Sequence, residues 1–169
     1  MSNITTYVGS TGVGLTSVLS QITRKRLDEG KTVLTICDEY VDKVNHRNLT
    51  LVNHPDASAV LAAYTTIKNS MKPDVVCIDC LRLSDLDVRE IRSLASKGVE
   101  FHIGQAARRS GDDPYITSLV SNACRFSDQV FVLGRTQGID QEQYVLATPT
   151  KSRAGHANSI VFRIINEYD

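Results

Sequence analysis

The sequence predicts one α/β domain whose mostly parallel sheet closes in antiparallel hairpins. Apolar runs of strand length alternate with segments of helical period, the pattern of a parallel sheet with crossover helices. From Val130 onward that alternation gives way to strands joined by short loops, which favours hairpins. The 169 residues are 22% charged and 41% apolar, with ten glycines and four prolines. This is an ordinary globular composition, and no linker or low-complexity stretch divides residues 1–169, so a single domain is expected.

Ile4 to Val8 reads as a first strand, followed by a glycine-rich turn. The helix after it carries Leu15, Val18, Leu19 and Ile22 at i, i+3, i+4 and i+7, and Gly30 stops it. Thr32 to Cys37 is a second strand ending in the acidic pair Asp38 and Glu39, and Leu49 to Val52 a third. Asp56 is placed to cap a helix with Val60, Ala63, Tyr64 and Ile67 on one face. Pro73 precedes the most apolar strand, Val75 to Ile78, which ends at Asp79. Ser84 caps a helix with Val88, Ile91, Leu94 and Ala95 inward, ended by Gly98. Val99 to Ile103 is a strand, and the polar stretch GQAARRSGDDP reads as loop. Val130 to Leu133, Tyr144 to Ala147 and Ser159 to Ile165 are the closing strands.

Charge and cysteine usage narrow the function classes. Nineteen basic residues balance nineteen acidic ones, which argues against a wholesale electrostatic grip on nucleic acid or lipid and leaves room for a local basic patch. No apolar window approaches the roughly 18 residues of a membrane span, and MSNITTYVGS lacks the regions of a secretory signal, so a reducing cytoplasm is expected. Cys37, Cys77, Cys80 and Cys124 fit that compartment, because three of them sit inside apolar, strand-like runs and behave as small hydrophobes. Cys77 and Cys80, three apart on a strand, would point to opposite faces, which disfavours a metal or redox pair.

The strongest motif is Gly9-Ser10-Thr11-Gly12-Val13-Gly14-Leu15-Thr16, between the first strand and first helix. It keeps every fixed position of the phosphate loop G-x-x-x-x-G-K-[ST] except the lysine, which is Leu15. Glycines let backbone N–H groups curl around a phosphate, the helix N-terminus supplies partial positive charge, and Thr16 offers magnesium a hydroxyl. A plain glycine-rich turn, with Leu15 opening the apolar stripe, is the competing reading. A nicotinamide fingerprint would use Gly9 and Gly12 but would need a glycine at Leu15. Tyr64 and Lys68 have the Y-x-x-x-K spacing of short-chain reductases yet lie too early in the chain for that role.

Asp79 stands where a nucleotide-binding sheet places the acid that holds magnesium, although buried strands often end in a polar residue. Glu39 is positioned to polarise an attacking water, or is a solvated loop acid. Gln105 after FHIG is a candidate γ-phosphate sensor, or an ordinary loop amide. Gln143 to Asn166 holds Lys151, Arg153, His156 and Arg163 and no acid, which by itself reads as a solvated face. Tyr144 is a candidate for base stacking, though a terminal-strand tyrosine is more often packing.

Taken together and in this order, these segments resemble the RecA-like motor domain of the DnaB-type replicative helicases, a P-loop ATPase family that moves on single-stranded DNA. GSTGVGLT corresponds to the phosphate loop, VLTICDEY to the strand ending in the catalytic glutamate, and VVCIDCLRL to the magnesium strand. FHIGQAARRS is similar to the strand carrying the sensor glutamine and the start of the DNA-facing loop, SDQVFVLGR to the next core strand. KSRAGHANSIVFRI, with its K-x-R-x-G, resembles the closing hairpin and is the most specific match. The resemblance covers nearly the whole chain and implies ATP or another nucleoside triphosphate, with magnesium held by Thr16 and Asp79. It implies water activation by Glu39, γ-phosphate sensing by Gln105, and Lys151 with Arg153 as a finger pair reaching a neighbouring subunit's site. Arg108 and Arg109 would contact single-stranded nucleic acid in a salt-sensitive, sequence-independent way.

Two departures shape the expectation. Leu15 replaces an ammonium beside the phosphates by an isobutyl group, and losing such an electrostatic element costs about 10²- to 10³-fold in rate. The chain also begins directly at the first strand, without the collar domain by which family members clasp their ring, so a stable hexamer is less expected than in the family. The compact size suits a bacterial phage or mobile-element protein. The leading expectation is an ATPase core acting on single-stranded DNA in replication or recombination. Its alternative is a non-hydrolysing relative that binds a helicase as loader or inhibitor. Thymidine kinase shares the strand and loop order, but the chain lacks the paired cysteines of its zinc lasso.

Overall fold

The computed structural model describes residues 3–10, 12–37, 46–53, 72–79, 83, 85–107, 113–152 and 158–164. Its strands are β1 (Ile4–Ser10), β2 (Val33–Cys37), β3 (Leu49–Asn53), β4 (Val75–Asp79), β5 (Glu100–Ala107), β6 (Gln129–Gln137), β7 (Gln143–Ser152) and β8 (Ile160–Arg163). Three helices accompany them among the described residues: α1 (Leu15–Asp28), α2 (Asp85–Ser96) and α3 (Asp113–Phe126). The helix expected after Asp56 lies outside the described residues.

One eight-stranded sheet runs in the order β3-β2-β4-β5-β1-β6-β7-β8. The ladders from β3 to β6 are parallel, and β6–β7 and β7–β8 are antiparallel, as the change of pattern after Val130 predicts. The chain leaves β1 through α1 toward β2 on one side, and leaves β5 through α3 to reach β6 on the other. The carboxyl end of β1 is therefore where successive crossovers diverge, the place at which open α/β sheets bind ligands.

Helix ends follow the sequence closely. Gly30 (φ +81°) stops α1 in a Schellman turn, with its N–H donating to the Leu27 carbonyl and the Lys31 N–H to that of Arg26. Gly98 (φ +98°) ends α2 in the same way, through Ala95 and Leu94.

The sheet's faces are covered differently. On one, α1 lays Leu15, Val18 and Leu19 against Tyr7, Phe131, Leu133, Val145 and Ala147, and Leu27 against Val33, Val75 and Cys77. On the other, α2 sets Ile91 and Ala95 on Leu34, Ile36, Val76, Ile78, Phe101 and Ile103, and α3 sets Ala123 on Val8 and Val130. The first β6-side anchor is Asp128, whose carboxylate accepts the N–H groups of Asn3 and Ile4 and so fixes the start of β1.

Four elements differ from expectation, of which β6 and β7 run on to Gln137 and Ser152, past the expected Leu133 and Ala147, because each pairs the other along its length. β5 runs on to Ala107, because Gly104 to Ala107 pair with Tyr7 to Ser10 and the neighbouring strand satisfies their backbone groups despite polar side chains. The stretch from Asp113 is helical rather than loop, and α3 repeats Ile116, Leu119, Val120, Ala123 and Cys124 at helical spacing toward Val8 and Val130. Asp113-Pro114 reads as a loop in isolation but is also a helix start, since proline lacks only an N–H that the first turn leaves unpaired anyway.

Candidate functional site

β1 delivers the glycine-rich turn to the sheet's carboxyl edge. The Val13 N–H donates to the Ser10 carbonyl at 3.1 Å, and Val18 closes the first helical bond on Gly14 at 3.0 Å. Gly12 (φ +84°) and Gly14 (φ +105°) both take left-handed conformations. At Gly14 a second constraint acts, since a Cβ there would lie 2.9 Å from Cγ2 of Val145. Gly14 is the N-cap of α1, no side chain caps it, and the first turn carries no acid. The first-turn N–H groups have no intrahelical acceptor, so the helix presents oriented donors and partial positive charge to whatever fills the turn.

Thr16 and Asp79 meet below this turn. The Thr16 hydroxyl donates to Oδ2 of Asp79 at 3.0 Å, and Asp79 is 7% exposed at the end of β4. Asp79 is in register with Gly104 of β5 and Cys37 of β2. An all-oxygen pair beside a glycine-rich turn suits magnesium, which keeps several waters and takes one or two protein ligands plus phosphate oxygens. Among the described residues no cluster of three or more His, Cys, Asp or Glu could hold a metal by itself. Thr16 and Asp79 thus fit a magnesium ion that arrives with a phosphate.

Leu15 lies elsewhere than the motif suggests. Its side chain is 6% exposed within the α1-face cluster. A Cβ on Gly104 would lie 3.0 Å from Cδ2 of Leu15 and 2.9 Å from Cδ1 of Leu19, so the missing side chain of Gly104 makes the room that Leu15 fills.

The remaining expected residues disperse. Gln105 is on the opposite face from Asp79, because Gly104 turns toward α1 and the strand alternates. It lines a cavity of about 470 Å³ between α2 and α3, with Val88, Arg92, Leu119, Asn122 and Phe126. Lys151 is half-buried and its Nζ donates to the Cys124 carbonyl, at the C-terminal end of α3 where a cation is favourable. Tyr144 donates its hydroxyl to Asp140 within the β6–β7 hairpin at 2.7 Å. Thr11, Glu39, Arg108, Arg109 and Arg153 lie outside the described residues.

Sequence reasoning passed over Arg135 on β6, whose Nη1 donates to the Gly12 carbonyl at 3.2 Å. The available signal was positional, since a cation at the carboxyl end of a strand beside β1 has the glycine-rich turn within reach. It also passed over a polar chain beneath α1. Arg26 grips Glu100 with Nε and Nη2, both at 2.8 Å, and the Nε2 of His102 lies 3.6 Å from the same carboxylate. The Nδ1 of His102 is 3.1 Å from the Tyr7 hydroxyl. Burial alone would raise the Glu100 carboxyl, yet the His102 ring and the Arg26 fork bring it down to about 2. The two short Arg26 bonds outweigh the His102 contact, which is beyond hydrogen-bond length. Burial pushes the Cys77 thiol up to about 12, the behaviour of a packing residue.

No family model matches the chain, and no curated protein does. Among solved structures it is similar to the flagellar accessory protein FlaH from Methanocaldococcus jannaschii, with a TM-score of 0.69 at 10% identity over 97% of this chain and 86% of that one. The chain has the RecA-like fold, an α/β domain with a mostly parallel sheet and antiparallel closing strands. No helix among the described residues is long and apolar enough to cross a membrane.

Proposed function

We propose that this chain binds a nucleoside triphosphate, ATP in the first instance, together with magnesium at the carboxyl end of β1. The observation that carries the reading is the 3.0 Å contact between Thr16 and Asp79 under an uncapped helix N-terminus. In this reading the backbone N–H groups from Gly12 to Thr16 hold the phosphates, and Thr16 and Asp79 orient the metal. The resemblance to DnaB-type helicases extends it to a replication or recombination ATPase core on single-stranded DNA, with Arg108 and Arg109 facing the strand. Glu39 would activate water, Gln105 would sense the γ phosphate, and Lys151 with Arg153 would reach the site of a neighbouring copy.

A second reading has specific support. The Leu15 side chain is committed to the core and Lys151 to the end of α3, and Gln105 faces away from Asp79. These placements favour a nucleotide-binding, non-hydrolysing relative that loads or inhibits a helicase. Binding and turnover separate the two.

Titration with Mg–ATP should show saturable binding that weakens about tenfold in Asp79→Asn, where the metal loses a charged ligand while Thr16 keeps an acceptor. Binding insensitive both to Asp79→Asn and to magnesium removal would overturn the metal assignment. Turnover measured with single-stranded DNA, on protein whose oligomeric state is read by light scattering, decides the rest. DNA-stimulated turnover in an oligomer selects the motor, and binding without turnover selects the regulator.

A further inference from the structure

We infer that Arg135 supplies, from β6, the positive charge that the phosphate loop lacks at Leu15, and contacts the polyphosphate of the bound nucleotide; this rests on the nucleotide reading above. Arg135 pairs across the ladder with Val145, so the two side chains share the α1 face. Val145 is the residue that crowds Gly14, and Arg135 bonds the carbonyl of Gly12. The guanidinium thus lies against the turn that joins these two glycines, at the N-terminal end of α1.

Three features make this a ligand contact as well as a brace for the loop. Arg135 is exposed, and a guanidinium carries five N–H donors, so the bond to Gly12 positions the group without exhausting it. It bonds a neutral carbonyl, whereas Arg26 is matched to Glu100 and Arg163 to Glu142. The charge is therefore available, and it stands beside helix donors that themselves favour an anion. A planar, permanently charged fork also suits phosphate oxygens better than a point charge would at the same rim.

The test compares wild type, Arg135→Gln and Arg135→Lys for binding of Mg–ATP, AMP and magnesium tripolyphosphate, which has no base. Gln keeps a donor for Gly12 and removes the charge; Lys keeps the charge. Arg135→Gln should weaken ATP and tripolyphosphate about ten- to a hundredfold and AMP much less, with Lys in between. The wild-type advantage should shrink as salt rises, and a purely structural brace would give no such dependence on phosphate number or ionic strength. Equal losses for AMP and ATP with tripolyphosphate unaffected would overturn the proposal in favour of a base or sugar contact. Wild-type affinities in Arg135→Gln would also overturn it while leaving the nucleotide reading intact. Failure of wild type to bind either ATP or tripolyphosphate would overturn the nucleotide reading itself, and this proposal with it.

Discussion

On the α1 face of the sheet, charged and hydroxyl side chains reach deep into the fold: Arg26, Glu100, His102 and Tyr7 run beneath the helix, and Thr16 meets Asp79 at its N-terminal end. On the α2 face, the corresponding depth is filled by Leu34, Ile36, Val76, Ile78, Phe101 and Ile103. The same strands supply both, since residue alternation sends His102 and Gly104 one way and Phe101 and Ile103 the other. Non-directional burial holds both faces together, and the α1 face adds a polar layer whose groups need partners, most but not all of which are supplied: the Thr35 hydroxyl and the Nε2 of His102 are buried without a hydrogen bond. The division also places the glycine-rich turn on the face where polar groups are already accommodated.

The comparison breaks most visibly on the apolar face. Ile103 is wholly buried, and Ile103→Ala should cost about 3–4 kcal/mol in urea denaturation through lost burial plus the cavity left behind. Mg–ATP affinity of the folded variant should stay near wild type. A large affinity loss at preserved stability would mean that the two faces are coupled through β5.

Leu15→Lys probes the boundary between the faces. Its side chain would have to place an ammonium where Leu15 packs against Leu19 and the backbone of Gly104, at a cost of about 2–3 kcal/mol. Turnover should not rise, because the charge would enter the core instead of the loop. A clear rise in turnover at little stability cost would show that the side chain leaves the core and that a lysine at this position supports hydrolysis.

The sequence made the fold legible where patterns were local and strong. The apolar run Val75–Asp79, the stripe of α1 and the glycine stops at Gly30 and Gly98 each have one physical reading, and the structure agrees with it. The glycine-rich turn after β1 was legible too, since Gly12 and Gly14 take left-handed conformations that other residues resist. The helix from Asp113 was missed because Asp-Pro signals both loop and helix start, and only packing against Val8 and Val130 decides between them. Side-chain destinations were the least legible. The face taken by Gln105 depends on where β5 is anchored, the bond of Lys151 on where α3 ends, and the reach of Arg135 on strand order, none of which a motif records.

The smallest effect, and the most discriminating for the polar face, is in pH. Glu100 is held at about 2 in the folded chain against an ordinary value of 4.5. A carboxyl lowered on folding contributes stability that is fully present above its unfolded value and disappears as pH falls from about 4.5 toward 2. Glu100→Gln should therefore cost about 1 kcal/mol at pH 7, because Arg26 keeps a neutral acceptor but loses the ion pair. The gap between the two denaturation curves should close progressively below pH 4.5, with wild type the one that moves. A gap that persists unchanged at pH 3 would mean that Glu100 acts through packing, and the α1 face would then resemble its apolar counterpart more closely than the Arg26 contacts suggest.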